Sequence, residues 1–131
     1  MTRLYLDTDI FLAIIKDDDR HKKAAQNFFQ MHKSDELITS TITCLEIWFY
    51  LYKQGLGEKA LDAIRAVGTL CTIQEVPFMT IQEAILLAQE IRLSPADGVH
   101  AVLASSVGVI VSSDHAFKRI TGLQQIDFSN V

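Results

Sequence analysis

The feature that most constrains the fold is a regular alternation of two patterns along the chain. Short apolar runs rich in β-branched residues recur between longer segments in which apolar residues follow the helical period. Strands that alternate with helices form a parallel sheet, because a parallel connection must carry the chain back along the sheet. The pattern therefore predicts an α/β fold with a central parallel β-sheet flanked by α-helices. The predicted strands are Leu4–Leu6, Leu37–Thr39, Cys71–Val76, Val109–Val111 and Gln125–Phe128.

Helical periodicity fills the segments between and after these strands. Gly55 and Gly57 separate the third helix from the fourth, since glycine favours the end of a helix and a turn. The chain has 131 residues, of which 49% are apolar, enough for one domain with its own core. We therefore expect a single domain over residues 1–131. The predicted helices are Ile10–Lys16, Arg20–Lys33, Thr43–Gln54, Glu58–Val67, Thr80–Ile91, Pro95–Ser106 and a short helix His115–Ile120.

Composition narrows the classes of function. Charged or polar residues interrupt every apolar stretch, and no basic segment followed by an apolar one opens the sequence, so we expect a cytoplasmic protein without membrane association. Cys44 and Cys71 are isolated in apolar surroundings, which favours packing over a metal or redox role. The net charge of −4 argues against a general nucleic-acid binder, because such proteins carry basic surfaces.

Four acidic residues lie where strands give way to helices. Asp7 follows the first strand, Glu46 and Asp97 open helices, and Asp114 follows the fourth strand. In open α/β sheets the ligand crevice lies beyond the carboxyl ends of the strands, so acids at these junctions can converge. Carboxylates without a nearby Lys or Arg suit Mg²⁺ or Mn²⁺, which prefer oxygen ligands. Such a cation can activate water for attack on a phosphodiester and offset the acidic charge.

Helix capping is the competing explanation for each acid. Acids are favoured in the first turn of any helix, and Thr43-x-x-Glu46 and Ser94-x-x-Asp97 have the spacing of a capping box. At the other two junctions the chain has spare caps. Thr8 or Asp9 could cap the first helix without Asp7, and Ser112 or Ser113 could serve near Asp114, so the acids exceed what capping needs. This surplus of caps favours a functional site.

Four segments resemble, in order and approximate spacing, the acidic motifs of the PIN domain family, in particular its VapC-type ribonuclease toxins. The segments are LYLDTDIFL, TITCLEIW, LSPADGVHAVLA and VIVSSDHAFKRI. The resemblance covers Leu4 to Asp127 and implies an acidic pocket that binds Mg²⁺ or Mn²⁺ and cleaves single-stranded RNA. It also implies a homodimer and a cognate antitoxin protein that offers a basic side chain to the pocket.

By position, the resemblance implies that an acidic quartet holds the metal, with Glu46 as a ligand or as a group that orients water. Ser112 matches the hydroxyl residue two positions before the last acid and is assigned to the catalytic site, and Thr8 matches the residue after the first acid. The quartet is Asp7, Glu46, Asp97 and Asp114.

The roles of two further residues stay open. Asp9 stands where the family often has a small polar residue such as asparagine, and it is either an extra ligand or a helix cap. His100 falls one helical turn after Asp97, and it is either a catalytic base or a buried histidine that supports the site.

The segment IWFYLYK, residues 47–53, is apolar nearly all round its predicted helix. It is either an ordinary buried helix or, as we expect, a partner interface, because one sheet cannot cover a helix that is apolar on every side. Base stacking is a further alternative for its aromatic residues. The proposed anchors are Trp48, Phe49, Tyr50 and Tyr52.

Three other functions compete with a toxin nuclease. The first is a PIN nuclease that processes RNA without an antitoxin, and the second is a catalytically inert PIN scaffold that binds a protein. The third is a receiver-like phosphoacceptor, which also places acids after its first strand. A receiver needs a lysine near the end of its last strand, and the segment LQQIDFSNV has none.

Overall fold

The computed structural model describes residues 2–130, whose five strands form one parallel sheet in the order β3-β2-β1-β4-β5. This confirms the predicted α/β fold class. Two strands are shorter than predicted, because the third ends before Val76 and the last ends before Asp127. The strands are β1 (Arg3–Leu6), β2 (Glu36–Ser40), β3 (Thr72–Gln74), β4 (Val109–Val111) and β5 (Gln124–Ile126).

Six α-helices and two short 3-10 helices occupy the rest of the described chain. Every predicted helical segment is present, although three helices begin two residues earlier than predicted, and the last predicted helix is a 3-10 helix. The α-helices are α1 (Thr8–Ile15), α2 (Lys22–Met31), α3 (Thr41–Lys53), α4 (Ala60–Leu70), α5 (Phe78–Ile91) and α6 (Pro95–Val107), and the 3-10 helices are Gly57–Lys59 and His115–Arg119. None of these helices is long and apolar enough to cross a membrane.

Strand β1 is buried on both faces of the sheet and separates two apolar cores. Leu4 and Leu6 belong to one core, together with residues of α1, α2, α3 and α4. Tyr5 points to the opposite face and belongs to the other core, together with residues of α5 and α6. Cys71 is buried in the first core, in agreement with the packing interpretation, whereas Cys44 is half-buried.

Helix α6 is held close to both α5 and the sheet. Ser94 caps its first turn, Pro95 occupies the first helical position, and Gly108 ends it with φ of +100°. A Cβ atom at Gly98 would lie 3.1 Å from the carbonyl oxygen of Ala84 in α5, so glycine permits this close approach. The start of α6, which carries Asp97, is therefore rigidly placed.

The sheet order brings the carboxyl ends of β1 and β4 side by side at the centre of the molecule. The backbone N–H of Asp7 donates to the carbonyl of Val111, 3.0 Å away, which continues the ladder to the last residue of β4. The chain leaves β1 toward β2 on one side and returns later to β4 on the other. This reversal of strand order is the usual place for a ligand crevice in an open α/β sheet.

Candidate functional site

Asp7 lies at the carboxyl end of β1 and is almost wholly buried. It is the N-cap of α1, where Oδ1 accepts a hydrogen bond from the backbone N–H of Thr8 at 2.8 Å. Its other oxygen, Oδ2, accepts the hydroxyl hydrogen of Ser112, also at 2.8 Å. The cap is therefore Asp7 itself, and neither of the possible substitutes, Thr8 and Asp9, takes this role. Asp7 caps α1 with one oxygen and is fixed to β4 by the other.

The charged form of Asp7 is unfavourable in this structure. Burial raises the pKa of its carboxyl to about 7, and the neighbouring charge of Asp9 acts in the same direction. The charge of His100 and the hydrogen bonds from Ser112 and Thr8 oppose this shift without cancelling it. Near neutral pH, the folded protein therefore carries an unfavourable negative charge at this position, which a cation would relieve.

Ser112 connects Asp7 to the next acid along the chain. It is wholly buried, and its Oγ accepts a hydrogen bond from the backbone N–H of Asp114 at 3.0 Å. Asp114 is exposed and is the N-cap of the second 3-10 helix, accepting from the N–H of Ala116 at 2.9 Å. Asp114 itself caps this turn, and neither Ser112 nor Ser113 does. Ser112 is placed to hold the two acids together.

Asp9 bridges α1 to the loop after β4 and is not the cap of α1. Its Oδ2 accepts hydrogen bonds from the hydroxyl and the backbone N–H of Ser113, at 2.5 and 2.9 Å. Its Oδ1 is buried and has no hydrogen-bond partner among the described residues. Burial, together with the charge of Asp114, raises the pKa of this carboxyl. An unpartnered buried carboxylate oxygen is costly unless a ligand approaches it.

Glu46 lies in the second turn of α3, and not in its first. The predicted capping box with Thr43 is wrong, because α3 begins at Thr41 and Ser40 occupies the N-cap without a side-chain bond. Instead, Oε1 of Glu46 accepts the hydroxyl of Thr8 at 2.6 Å and lies 2.7 Å from Nε2 of His100. Burial acts to raise the pKa of Glu46, but these two hydrogen bonds and the charge of His100 outweigh it and lower the pKa.

His100 is wholly buried between Glu46 and the sheet, as the alternative of a supporting histidine predicts. Its Nε2 contacts Glu46 and Thr8 and lies 3.4 Å from Oδ1 of Asp7, and its Nδ1 lies 2.8 Å from the hydroxyl of Tyr5. Burial acts to lower its pKa, but the hydrogen bond to Glu46 and the nearby carboxylates raise it overall. Both ring nitrogens are occupied by protein groups.

Asp97 is half-buried in the first turn of α6, as predicted. Its backbone N–H donates to the hydroxyl of Ser94 at 3.3 Å, so Ser94 is the cap and the carboxylate of Asp97 is not needed for this role. Burial raises the pKa of Asp97 overall, and the charges of Asp114 and Glu46 act in the same direction, whereas the hydroxyl of Ser94 and the charge of His100 oppose the shift. The carboxylate of Asp97 therefore interacts electrostatically with both other acids.

The structure thus brings the predicted quartet and Asp9 to one place, which we call the acidic cluster. Among the described residues, His100 is the one basic side chain within ion-pair distance of any of them. No three His, Cys, Asp or Glu side chains of residues 2–130 are arranged to hold a metal ion together. The donor set and the unpartnered Oδ1 of Asp9 nevertheless fit a hard divalent cation. The acidic cluster consists of Asp7, Asp9, Glu46, Asp97 and Asp114.

The sequence analysis did not identify Tyr5, Ser40 or Thr43 as part of this region. In the sequence, Tyr5 stands at an apolar position of β1, and Ser40 and Thr43 are residue types that are common at the start of a helix. In the structure Tyr5 contacts Ser40 and His100, and Thr43 contacts Thr8 at 3.3 Å. The available signal was a tyrosine hydroxyl in a strand buried on both faces, because such a group must find a partner.

A second unusual feature is an apolar surface on α3 and α5. Of the 13 exposed large apolar residues of the described chain, 12 lie between positions 45 and 86, and the other is Met31. Leu45 joins the two helices, since it lines both an apolar groove of about 510 Å³ against α5 and a smaller hollow beside Trp48. Tyr50, proposed as an anchor, is half-buried beneath Lys16 instead. The apolar surface consists of Leu45, Trp48, Phe49, Tyr52, Phe78, Met79, Ile81, Ile85 and Leu86.

These features define an α/β protein with carboxylates at the carboxyl ends of its strands, and comparison with known proteins identifies its family. The chain belongs to the PIN domain family, whose family model matches residues 4–123. The resemblance seen in the four acidic segments is therefore confirmed. A search of curated proteins found no match.

Solved structures with the same fold include chains of VapBC toxin–antitoxin complexes. A chain of DNA-bound VapBC from Salmonella typhimurium is 22% identical, with a TM-score of 0.77 over 98% of this chain and 99% of that one. A chain of VapBC-1 from nontypeable Haemophilus influenzae is 23% identical, with a TM-score of 0.75 over 98% of this chain and 100% of that one. Mycobacterium tuberculosis VapC20, a sarcin-ricin loop cleaving toxin, is 16% identical, with a TM-score of 0.74 over 92% of this chain and 98% of that one. At these identities, the likeness establishes the fold.

Proposed function

We propose that this protein is an endoribonuclease that cleaves single-stranded RNA with the help of Mg²⁺ or Mn²⁺, and that its nuclease domain spans residues 1–131. The observation that supports this most directly is the acidic cluster, in which Asp7 and Glu46 lie within ion-pair distance of His100 and the charge of His100 also acts on Asp97. Membership of the PIN family and the shared fold with an RNA-cleaving toxin support the same activity.

The proposed metal ligands are the quartet predicted from the sequence, with Glu46 either as a ligand or as a group that orients water. When bound, the cation supplies activation of water and neutralisation of phosphate charge. Ser112 contributes by holding Asp7 beside Asp114, since its hydroxyl bonds both residues. The ligands are Asp7, Glu46, Asp97 and Asp114.

Cleavage of single-stranded RNA by the purified protein tests this proposal. We expect cleavage with Mg²⁺ or Mn²⁺ and none in chelator. Asp7→Asn, Asp97→Asn and Asp114→Asn should each lower the rate about a hundredfold or more. If the ligands act as a unit, the loss of any one of them removes most of the contribution of the whole site. Asp62→Asn, which changes an exposed acid in α4, is the matched control and should cleave like the wild type.

Full activity in chelator would contradict the metal requirement, and a wild type inactive with both metals would contradict the nuclease. Mapping the ends cut in total cellular RNA, with Asp7→Asn as the control, would identify the target.

We further propose that the protein is the toxin of a toxin–antitoxin pair and acts as a homodimer. The complexes that share its fold pair a toxin with an antitoxin, and an antitoxin residue with a basic side chain would complement the acidic cluster. The apolar surface of α3 and α5 has the exposed aromatic residues typical of an interface. A small antitoxin gene directly upstream would support the toxin over an RNA-processing nuclease, and co-expression of that gene should suppress RNA cleavage.

A further inference from the structure

A buried hydrogen-bonded chain runs from the central strand to the acidic cluster. The side chain of Tyr5 is wholly buried, and its hydroxyl lies 2.9 Å from Oγ of Ser40 and 2.8 Å from Nδ1 of His100. A hydroxyl has one hydrogen, so it donates to one of these atoms and accepts from the other. Burial raises the pKa of Tyr5, which keeps this hydrogen in place.

The far side of the imidazole holds Glu46. Nε2 of His100 lies 2.7 Å from Oε1 of Glu46, whose side chain is 36% exposed, whereas the imidazole is wholly buried. Because an ionised carboxylate only accepts hydrogen bonds, Nε2 carries the hydrogen in this contact. Thr8 donates to the same oxygen at 2.6 Å. Oε2 of Glu46 accepts no hydrogen bond from the described residues, so it is available to a ligand.

We propose that Tyr5 and His100 are positioning residues for Glu46. A glutamate side chain on a half-exposed helix face has several accessible rotamers, and ordering it costs conformational entropy at the moment a ligand binds. The imidazole removes this cost in advance by fixing Oε1. Tyr5 fixes the imidazole in turn, since its hydroxyl occupies Nδ1 and thereby determines the orientation of the ring.

This inference rests on the proposed function, because it assigns the positioning to the site of the proposed nuclease. A purely structural role for the same hydrogen bonds predicts only a loss of stability. Thr39 offers a matched control, because its hydroxyl is equally buried and bonds the carbonyl of Leu6 and the hydroxyl of Thr43. It reaches Glu46 only indirectly, through Thr43 and Thr8, so Thr39→Val removes one buried hydroxyl of the same region and leaves the direct hydrogen bonds to Glu46 in place.

The first measurement is RNA cleavage by wild type, Tyr5→Phe and Thr39→Val at saturating Mn²⁺. Tyr5→Phe should lower kcat about tenfold or more with little change in KM, as the loss of a group that orients a ligand does. Thr39→Val should retain the wild-type kcat even if its melting temperature falls as much as that of Tyr5→Phe. Equal kcat values for Tyr5→Phe and the wild type would overturn the proposal.

Two variants of His100 keep the test decisive if Tyr5→Phe does not fold. The amide of glutamine can donate to Glu46 from a similar position, whereas leucine cannot donate. His100→Gln should therefore retain more of the wild-type kcat and Mn²⁺ affinity than His100→Leu, as measured by cleavage and by calorimetric titration with Mn²⁺. Equal losses in the two variants would count against positioning.

A spectroscopic measurement separates failure of this inference from failure of the proposed function. In metal-free protein labelled with ¹⁵N at histidine, Nε2–H of His100 should give a solvent-protected signal, assigned by its absence in His100→Gln. The signal should exchange faster with solvent in Tyr5→Phe and stay protected in Thr39→Val. A signal unchanged in Tyr5→Phe overturns the positioning, whereas an inactive wild type with the expected signals refutes only the nuclease.

Discussion

The acidic cluster and the apolar surface depart from the usual distribution of side chains in opposite ways. In the acidic cluster, Asp7 is a buried carboxylate whose pKa is raised, because burial and a like charge outweigh its hydrogen bonds. On the apolar surface, Trp48 and Tyr52 are aromatic residues with 53% and 69% of their areas exposed. The acidic cluster has more carboxylates than His100, its one basic neighbour among the described residues, can neutralise, and the apolar surface has aromatic side chains that no described residue covers.

The two regions also differ in how they are built. The apolar surface comes from neighbouring stretches of two helices, residues 45–52 and 78–86, so its composition is visible in the sequence. The acidic cluster draws on β1, α3, α6 and the loop after β4, and its contacts join residues up to 105 positions apart. The two regions meet at Glu46, which also lines the apolar groove beside Leu45. Changes away from this border, at Trp48, Tyr52 or Asp7, should leave the other region intact.

The largest expected effect is loss of the dimer when the apolar surface is charged. Trp48→Glu or Tyr52→Glu would place an unpaired charge in the interface twice, once from each protomer, and should raise the dimer dissociation constant about a hundredfold or more. Light scattering over a dilution series measures this. Met31→Glu, which charges an exposed apolar residue on α2, is the matched control and should stay dimeric. If both interface variants remain dimeric and folded, the interface lies elsewhere.

The next effect concerns the stability of the metal-free protein. An acid with a raised pKa in the folded state costs stability as pH rises through its unfolded pKa, and the cost is complete above the folded value, about 7 for Asp7. Asp7→Asn keeps a good capping residue but removes the charge, so at pH 7.5 its unfolding free energy should exceed that of the wild type by roughly 1–3 kcal/mol.

Denaturant unfolding in chelator at pH 7.5 and near pH 4 measures this difference. The gap between Asp7→Asn and wild type should shrink as the pH falls, because Asp7 is then protonated in the folded wild type. A variant no more stable than the wild type at pH 7.5 would mean that Asp7 is only a helix cap.

Metal should narrow this difference in stability. At a free Mn²⁺ concentration ten times the dissociation constant, one site stabilises the wild-type fold by about 1.4 kcal/mol, which is a few degrees of melting temperature for a domain of this size. Asp7→Asn should gain less, and Asp62→Asn should gain as much as the wild type. Melting curves with and without millimolar Mn²⁺ give the comparison. Equal gains for all three proteins would place Asp7 outside any metal site.

The smallest effect is expected at an ion pair outside both regions. Arg3 and Glu36 pair at 3.2 Å, with side chains 54% and 38% exposed. Such a surface pair contributes little, so Arg3→Ala should change the unfolding free energy by less than about 0.5 kcal/mol, with the dimer and the Mn²⁺ response unchanged. Denaturant unfolding measures this, and a loss above 1 kcal/mol would show that the sheet edge matters more than its exposure suggests.

The fold class was predictable because it depends on periodicity along the chain. Alternation of β-branched runs with helical segments located all five strands, and β4 has the predicted bounds Val109–Val111. The ends of helices were less predictable, because a cap depends on the bond that a side chain makes. The surplus of possible caps at these two junctions did not show which residue caps, and in the structure Asp7 and Asp114 cap their own helices.

The convergence of acids was predictable from the rule that parallel strands end at one edge of the sheet, but their individual environments were not. The pKa of Glu46 is lowered by His100 and Thr8, whereas the pKa values of Asp7 and Asp97 are raised. Asp9 was expected either to bind a ligand or to cap α1, and it bonds Ser113 across the β4 loop. These outcomes depend on which side chains meet across elements, and no spacing in the sequence encodes them.

The sequence by itself determined the order of strands and helices, the acids at their junctions and the abundance of aromatic residues in α3, because all three are patterns along the chain. Only the tertiary structure decided that Tyr5, His100 and Glu46 form one hydrogen-bonded chain, and that the outer residues of α3 and α5 are left uncovered. The physical reason is that burial and hydrogen bonding act between groups that are close in space. Closeness between residues 5, 46 and 100 follows from the packing of α3 and α6 against the sheet.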